Sequence, residues 1–530
     1  MLAWDFRLHR VHGEAAAVPA LPGTRSGVDR YDAYADEIVG SAARAAEVFR
    51  SCTQEQVDRI VQAVFTAAYD ARLELARLAH EETGMGLYEH KAIKNAWACL
   101  VVYDDLKDRK TVGVVSDDPL TGITEIAHPK GPVLAMIPLT NPTSTAIFKV
   151  LLCVKTRNPV ILSPHRAARK CIRRTAEILA EAAVAAGAPE DSVQLYQKAE
   201  SEYLERIMRH RRLALIVATG TREIVQRAQA SGTPTLGVGP GNVPVYVHAS
   251  ADLALAARCI VHSKTFDNGV VCASEQALVV EREVEARLRP HLEARGAYFC
   301  SPAEMRALGP VCYDGERRSM RPEIVGRSAA DIAQRAGFTL SPGKRLLVAA
   351  PEGVGAEHPL SHEILAPVLA IYVVPDYAAA LDTCAAVTRL GGVGHTVAVH
   401  TKDEAVIADF RQMNAGRIVV NQPATEGAIG GIFNALPPSL TLACGTGAGN
   451  LDTDNITVRH LLNVHRLARP RLNHGWLDVP KETWLDPKVD ATRAAALYAE
   501  AARAATGGEA EDPLMARRGS APPRQPRGGR

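Results

Sequence analysis

The sequence predicts an α/β fold built on parallel, doubly wound sheets. From residue 133 onward, short apolar runs alternate with amphipathic stretches. The runs are apolar on both faces, as strands covered on both sides must be. The stretches between them keep helical spacing, so strand and helix alternate along the chain.

In order, residues 1–30 read as an irregular arm, and from Tyr31 to about Lys107 the pattern is helical. Val57, Ile60, Val61, Val64 and Phe65 recur at helix spacing, with Thr53 as the expected N-cap. TVGVVSDDPLTGITEIA (111–127) has two β-prone runs around Asp-Asp-Pro and Thr-Gly, which suggests a hairpin. VLAMIPL (133–139) is the first buried strand and TSTAIFKVLLCVKTR (143–157) the first amphipathic helix of the alternation. PVILS (159–163) and SVQLY are further strands, separated by an Ala-rich helix to about Ala186. LALIVAT (213–219) is a fourth strand, running into a helix near Gly220. From Val243 to about Leu440 the chain continues as α/β, and Gly-rich stretches stand at 237–242, 391–396 and 445–450. After about Pro487 an Ala-rich helix (491–504) precedes a Gly/Pro/Arg tail whose composition predicts disorder.

Composition excludes several classes. The 530 residues carry 61 Lys and Arg against 59 Asp and Glu, a balance with no electrostatic footprint for nucleic acid or an anionic membrane. No apolar run approaches 18 residues, and the N-terminal stretch lacks the apolar core of a secretory signal. The 10 cysteines show no CxxC pair and no metal-ligand spacing, so neither a metal site nor a disulfide framework is expected. These readings point to the cytoplasm.

The sharpest local segment is SKTFDNGVVCASEQALVV (263–280). Cys272 follows a turn at Asp267-Asn268-Gly269 and precedes the β-prone run Ala277–Val280. A thiol is a good nucleophile toward a carbonyl carbon. Local sequence alone leaves a buried structural cysteine as the commoner reading.

Five stretches taken together change that balance: 131–165, TLGVGPGNVPVYV (235–247), the Cys272 segment, GGVGHT (391–396) and 421–450. In this order they resemble the coenzyme-A-acylating branch of the aldehyde dehydrogenases. The likeness is to the aldehyde half of bifunctional aldehyde–alcohol dehydrogenases and to stand-alone acetaldehyde and sulfoacetaldehyde dehydrogenases. It covers roughly residues 45–470.

The resemblance implies a Rossmann-like cofactor domain and an α/β catalytic domain with a β oligomerisation flap, hence a homo-oligomer. It makes Cys272 the nucleophile and Asn141 the amide that holds the developing oxyanion, a need that a preorganised donor meets. His395 matches a histidine of this branch and is the candidate proton shuttle for the coenzyme A thiol; a structural histidine is the other reading. NAD or NADP is the implied cofactor, with coenzyme A as co-substrate and no metal. Its candidate contacts are Thr140, Ser163, Pro164, His165, Thr219, Gly220, Thr221, Gly239 and Glu363. Thr219-Gly220-Thr221 matches the turn at a helix N-terminus where N–H groups meet pyrophosphate. Ser163-Pro164 stands where many hydrolytic relatives have Lys-Pro, and Glu363 matches the residue that bonds the nicotinamide ribose. GTGAGN (445–450) lacks the Lys-Ser/Thr ending of a P-loop and by resemblance is a turn near the substrate entrance.

One absence is informative. Hydrolytic relatives carry a Glu that activates water, in a Leu-Glu-Leu-Gly-Gly-Lys motif; Val238 occupies that place here. Water needs a base, whereas the coenzyme A thiol ionises readily and can attack a thioester without one. The expected reaction is aldehyde, coenzyme A and NAD(P)+ giving acyl-CoA and NAD(P)H, reversibly. The rival readings are a hydrolytic aldehyde dehydrogenase giving a free acid, and a catalytically silent scaffold.

The expected division is an arm (1–30), a cofactor domain (31–248) with the hairpin in the flap, a catalytic domain (249–440), a returning oligomerisation segment (441–486) and a tail (487–530). The terminal helix reads either as solvated or as docking onto a partner.

Overall fold

The computed structural model describes residues 29–469 and 480–505. Residues 1–28 of the arm expected at 1–30, and the tail from 506, lie outside the described residues; Arg30 already belongs to the first helix.

Four helices open the described residues: Arg30–Arg50, Gln54–Asp70, Arg72–Thr83 and Tyr88–Lys107. Thr53 caps the second, accepting from Gln56 N while the Gln56 side chain accepts from Thr53 N. This reciprocal arrangement satisfies two N–H groups that the first turn leaves open. Val57, Ile60, Val61 and Val64 are fully buried, and Phe65 packs beside them.

The hairpin forms as antiparallel strands Gly113–Asp118 and Ile123–Pro129. Leu462–Ala468, from near the other end of the chain, pairs antiparallel with Ile123–Pro129 and completes a three-stranded sheet.

The first parallel sheet has five strands, in the order Val193–Leu195, Val160–Pro164, Val133–Ile137, Leu215–Thr219, Thr235–Val238. The chain enters in the middle, winds outward to one side, then returns to build the other. Helix Pro142–Lys155 crosses its face with every residue buried. Lys149 survives there because its ammonium donates to Met136 O (2.7 Å), Val217 O (2.9 Å) and Thr219 Oγ1 (3.0 Å), using all three N–H groups across the two central strands.

The second parallel sheet has seven strands. Val243–Val247 and Glu275–Glu281 lie side by side, Val368–Val374 follows on the Glu275 side, and Gly394–His400 and Ala415–Val420 on the other. Val243–Val247, where the second α/β stretch was expected to begin but which the expected cofactor domain (31–248) includes, pairs here with Glu275–Glu281 and Gly394–His400. Helix Ser201–Met208 and strand Thr235–Val238 were not read from sequence at all. Both are short, and the strand merges into the Gly-rich run that follows it.

Only Gly239–Asn242 separates the last strand of the first sheet from the first strand of the second. Among the described residues no helix is long and apolar enough to cross a membrane.

Candidate active site

All strands of the five-stranded sheet run parallel, so their carboxyl ends share one edge. That edge collects Thr140 and Asn141, Ser163, Pro164 and His165, Thr219, Gly220 and Thr221, and Gly239, each at or just beyond the end of a strand. Strand order reverses between Val133–Ile137 and Leu215–Thr219, and a crevice opens at such a switch point. The Thr221 side chain turns to Glu223 Oε2 (2.9 Å) and makes no cap for helix Arg222–Gln229, so the first-turn N–H groups keep their hydrogen-bonding capacity. His165 instead closes its own turn, accepting from Ala167 N at 3.2 Å. At Gly239 an added Cβ would meet nothing within 4 Å, so the backbone there borders open space.

The seven-stranded sheet is also parallel, so its amino ends share an edge. Cys272 lies three residues before strand Glu275–Glu281, Asn242 just before Val243–Val247, and His395 at the start of Gly394–His400. The Gly239–Asn242 link leads from the carboxyl edge of the first sheet to this amino edge, and the site forms between the two.

Gly241 is the meeting point. A Cβ on it would lie 2.5 Å from the Cys272 carbonyl oxygen and 3.2 Å from Cγ and Nδ1 of His395, so only glycine lets these groups approach. Its N–H donates to Glu363 Oε1 at 3.0 Å. His395 is fully buried; Nδ1 meets Thr396 Oγ1 at 3.0 Å, while Nε2 has no partner. Burial, reinforced by the Arg417 guanidinium, pulls the imidazole down to about 3. His395 is therefore neutral at working pH, and the same burial that keeps it so makes it a weak base. Arg417, itself buried, donates to His395 O (2.6 Å) and Ala443 O (2.9 Å) and ties the histidine strand to the returning chain.

The half-buried Cys272 thiol is pushed up to about 12, first by burial and then by the Glu363 carboxylate, with Arg417 opposing. Glu363 is itself raised to about 7 by burial, which the Gly241 N–H and Lys264 partly offset.

The approach to Cys272 is fixed by the turn Phe266–Gly269, where Asp267 and Asn268 adopt φ of 48° and 52°. Asp and Asn are the side chains that tolerate this left-handed backbone. The Phe266 ring is stacked on Trp97 (4.9 Å) and His90 (4.6 Å) of helix Tyr88–Lys107. The buried Asp267 carboxylate accepts from Leu87 N at 2.7 Å, from Lys91 Nζ at 3.1 Å and from Lys94 Nζ. Burial alone would raise this carboxyl, but the two ammoniums outweigh it and hold it below the usual range. Lys94 Nζ also donates to Asn141 Oδ1, and Asn141 Nδ2 donates to Thr140 Oγ1 at 3.0 Å.

Cys272, His395 and Glu363 thus converge on Gly241, and Asn141 is joined to the Cys272 turn through Lys94 and Asp267. Lys94, Asp267, Arg417 and Gly241 were not singled out from sequence. Three are charged residues held in buried positions, which periodicity reads as solvated. Val238 is buried in its strand. The turn at 445–450 has left-handed Gly445 and Gly449, and Gly449 O accepts from Gln229 at the edge of the first sheet. Among the described residues, the metal-ligand types that cluster are Asp452, Asp454 and His460, where His460 bonds Asp452 at 2.9 Å and Arg459 pairs with Asp454.

Comparison with known proteins follows the same lines. The aldehyde dehydrogenase family model matches residues 28–433. Aldehyde-alcohol dehydrogenase 2 of Entamoeba histolytica is 41% identical over 443 residues, 82% of this chain and 51% of its own length. The chain therefore spans about half the length of the aldehyde–alcohol dehydrogenases it matches. Sulfoacetaldehyde dehydrogenase (acylating) of Cupriavidus necator is 35% identical, covering 88% of this chain and 96% of that protein. The crystal structure of an acetylating aldehyde dehydrogenase from Geobacillus thermoglucosidasius superposes with a TM-score of 0.81 at 40% identity, over 84% of this chain and 98% of that one. On these matches and this fold, the chain belongs to the aldehyde dehydrogenase family.

Proposed function

We propose that this chain is a coenzyme-A-acylating aldehyde dehydrogenase, converting a short aldehyde, coenzyme A and NAD(P)+ into acyl-CoA, NAD(P)H and a proton, reversibly. The observation that carries the reading is an absence: residues 236–242, the buried Val238 among them, hold no carboxylate where hydrolytic relatives place their water-activating Glu, while Cys272, Asn141 and His395 are all present. The acylating relatives of similar length support it.

The carboxyl edge of the first sheet fits a dinucleotide. Thr140, Ser163, Pro164 and His165 would line it, the uncapped helix after Thr219-Gly220-Thr221 would meet the pyrophosphate, and the open backbone at Gly239 would admit the nicotinamide end beside Glu363. When bound, the cofactor supplies the hydride acceptor.

The chain's own groups do the rest. The Cys272 thiol loses its proton to solvent, the thiolate adds to the aldehyde carbon, and the Asn141 amide with the Cys272 backbone N–H would hold the alkoxide oxygen. Loss of hydride from that adduct, to the acceptor the cofactor would supply, leaves an acyl thioester on Cys272. The coenzyme A thiol, having lost its proton to solvent, then attacks the thioester carbon as thiolate, with the unpartnered Nε2 of neutral His395 available to hydrogen-bond at the site, and Cys272 leaves as thiolate. Without a base on Val238, water competes poorly.

Glu363, near Cys272 and titrating at about 7, is the one observation that favours the hydrolytic alternative. Product analysis separates the two: acyl-CoA formed only with coenzyme A supports thiolysis, and free acid at full rate without it overturns the proposal. A panel of acyl-CoA thioesters, acetyl, longer and sulfoacetyl, assayed with NADH and NADPH, assigns the substrate and nucleotide.

We further propose a division into a nucleotide-binding segment and a catalytic segment, with the three-stranded sheet as an oligomerisation flap. Such a sheet is thin and its outer strands are largely exposed, so pairing with a second copy would cover it. Native mass measurement of the chain with and without strand Leu462–Ala468 tests the flap. Truncation after residue 486 tests whether helix Ala491–Ala505 docks onto a partner. The cytoplasm is the compartment this reading assigns.

A further inference from the structure

The Lys91–Asp267–Lys94 cluster lies behind Asn141, and its charges do not balance. Among the described residues, Asp267 is the one acid within ion-pair distance of either lysine. Both ammoniums share Asp267 Oδ2, because Oδ1 is taken by Leu87 N. All three side chains are almost wholly buried. His90, which faces the cluster, adds no countercharge: its Nδ1 accepts from Asp267 N at 2.7 Å, so it is neutral on that side. Two cations and one anion leave a net positive charge in the protein interior, an arrangement that costs stability unless something uses it.

The excess charge sits next to a group that could use it. Lys94 holds Asn141 Oδ1 directly. A lysine ammonium has donors only, so it admits only the oxygen end of the amide. The Nδ2 end is therefore turned away from Lys94. Thr140 takes one of its two N–H groups, and the second is left to meet an oxyanion. A cation on the amide oxygen also draws electron density from nitrogen and strengthens the remaining N–H as a donor.

We propose that Lys94 is a positioning residue for the oxyanion hole: it fixes which end of the Asn141 amide faces the reacting carbonyl and polarises that amide so that it holds the alkoxide formed on Cys272 more strongly. Asp267 has a linked task. It lies in the turn that leads to Cys272, and through Lys94 it ties the sulfur's turn to the oxyanion donor, which belong to different sheets. This inference rests on the reading of Asn141 as oxyanion donor.

The test is a double-mutant cycle on the rate of NAD(P)H formation in a single turnover at saturating aldehyde, with Lys94→Met, Asn141→Ala and both together. Lys94→Met is expected to slow this step about tenfold, since a charge-assisted hydrogen bond is replaced by none, with little change in KM for the aldehyde. The double variant is expected to fall within about twofold of Asn141→Ala alone, because coupled residues are non-additive. Lys94→Arg, which keeps the cation, is expected to recover most of the rate. Lys94→Gln keeps a donor without the charge and is expected to fall between Met and wild type; it also serves if the Met variant does not fold.

Additive losses in the double variant would mark Lys94 as merely structural and overturn the proposal. So would a Lys94→Met rate within about twofold of wild type while Asn141→Ala is slow. A wild-type rate in Asn141→Ala would instead overturn the oxyanion reading itself, and the two failures are thereby told apart.

Discussion

Replacing Gly241 by alanine tests the geometry of the site at its tightest point. The added Cβ would stand 2.5 Å from the Cys272 carbonyl oxygen, against 3.0–3.4 Å for the closest contacts that real Cβ atoms make. One backbone or the other must retreat by roughly 0.5–0.9 Å, and the His395 ring at 3.2 Å blocks the escape on that side. Overpacking of this size costs about 1–3 kcal/mol of stability. The larger effect falls on catalysis, because a displacement on the order of 1 Å at the reacting atoms costs about a hundredfold in rate. We therefore expect Gly241→Ala to fold with an apparent Tm lowered by a few degrees and with single-turnover acylation slowed about a hundredfold. Stopped-flow absorbance of the nicotinamide and differential scanning calorimetry read the two effects. A variant with wild-type burst rate and a lowered Tm would show that Gly241 supports the fold without setting the position of the sulfur, and the convergence described above would be wrong.

The thiol of Cys272 is raised to about 12, so its thiolate fraction falls as pH drops below that value; alkylation by iodoacetamide without cofactor should keep accelerating beyond pH 9, and a plateau near neutrality would contradict the burial argument. Glu363 opposes that ionisation, so Glu363→Gln should alkylate several-fold faster at pH 8 while binding nucleotide more weakly, as stopped-flow and titration would record; unchanged alkylation would remove Glu363 from the neighbourhood of the sulfur. Val238→Glu places a carboxylate in a buried strand position, so lower stability is expected together with some free acid in the absence of coenzyme A; no acid at all would mean that more than one residue directs water.

Much of the fold was legible because buried parallel strands have a distinct vocabulary. Val133–Ile137, Val160–Pro164 and Leu215–Thr219 are apolar on both faces, and the helices between them keep amphipathic spacing or, for Pro142–Lys155, complete burial. The capping box at Thr53 and the hairpin around Pro119 and Gly122 are local signals that local sequence can carry. Strand Val243–Val247 falls inside the expected cofactor segment (31–248), although the partners it takes, Glu275–Glu281 and Gly394–His400, lie far along the chain, where local composition gives no sign of them. Cys272, Asn141 and His395 were named through family motifs; the structure sets Cys272 and His395 beside Gly241 and joins Asn141 to the Cys272 turn through Lys94 and Asp267. Lys94 was not named, since a lysine in a helix ordinarily faces water, and its burial depends on Asp267, 173 residues away. The same holds for Arg417, whose partners Gly394 to Asn455 come from separate segments.

The short crossing at Gly239–Asn242 bears on how the molecule can open. Displacement in a rotating body grows with distance from its pivot, and here the Cys272 carbonyl lies against the pivot. A swing that parts the two sheets widely at their far margins would shift Cys272 and His395 very little relative to each other. Bulky nucleotides could then come and go at the rim while the chemistry stays in register at the fulcrum.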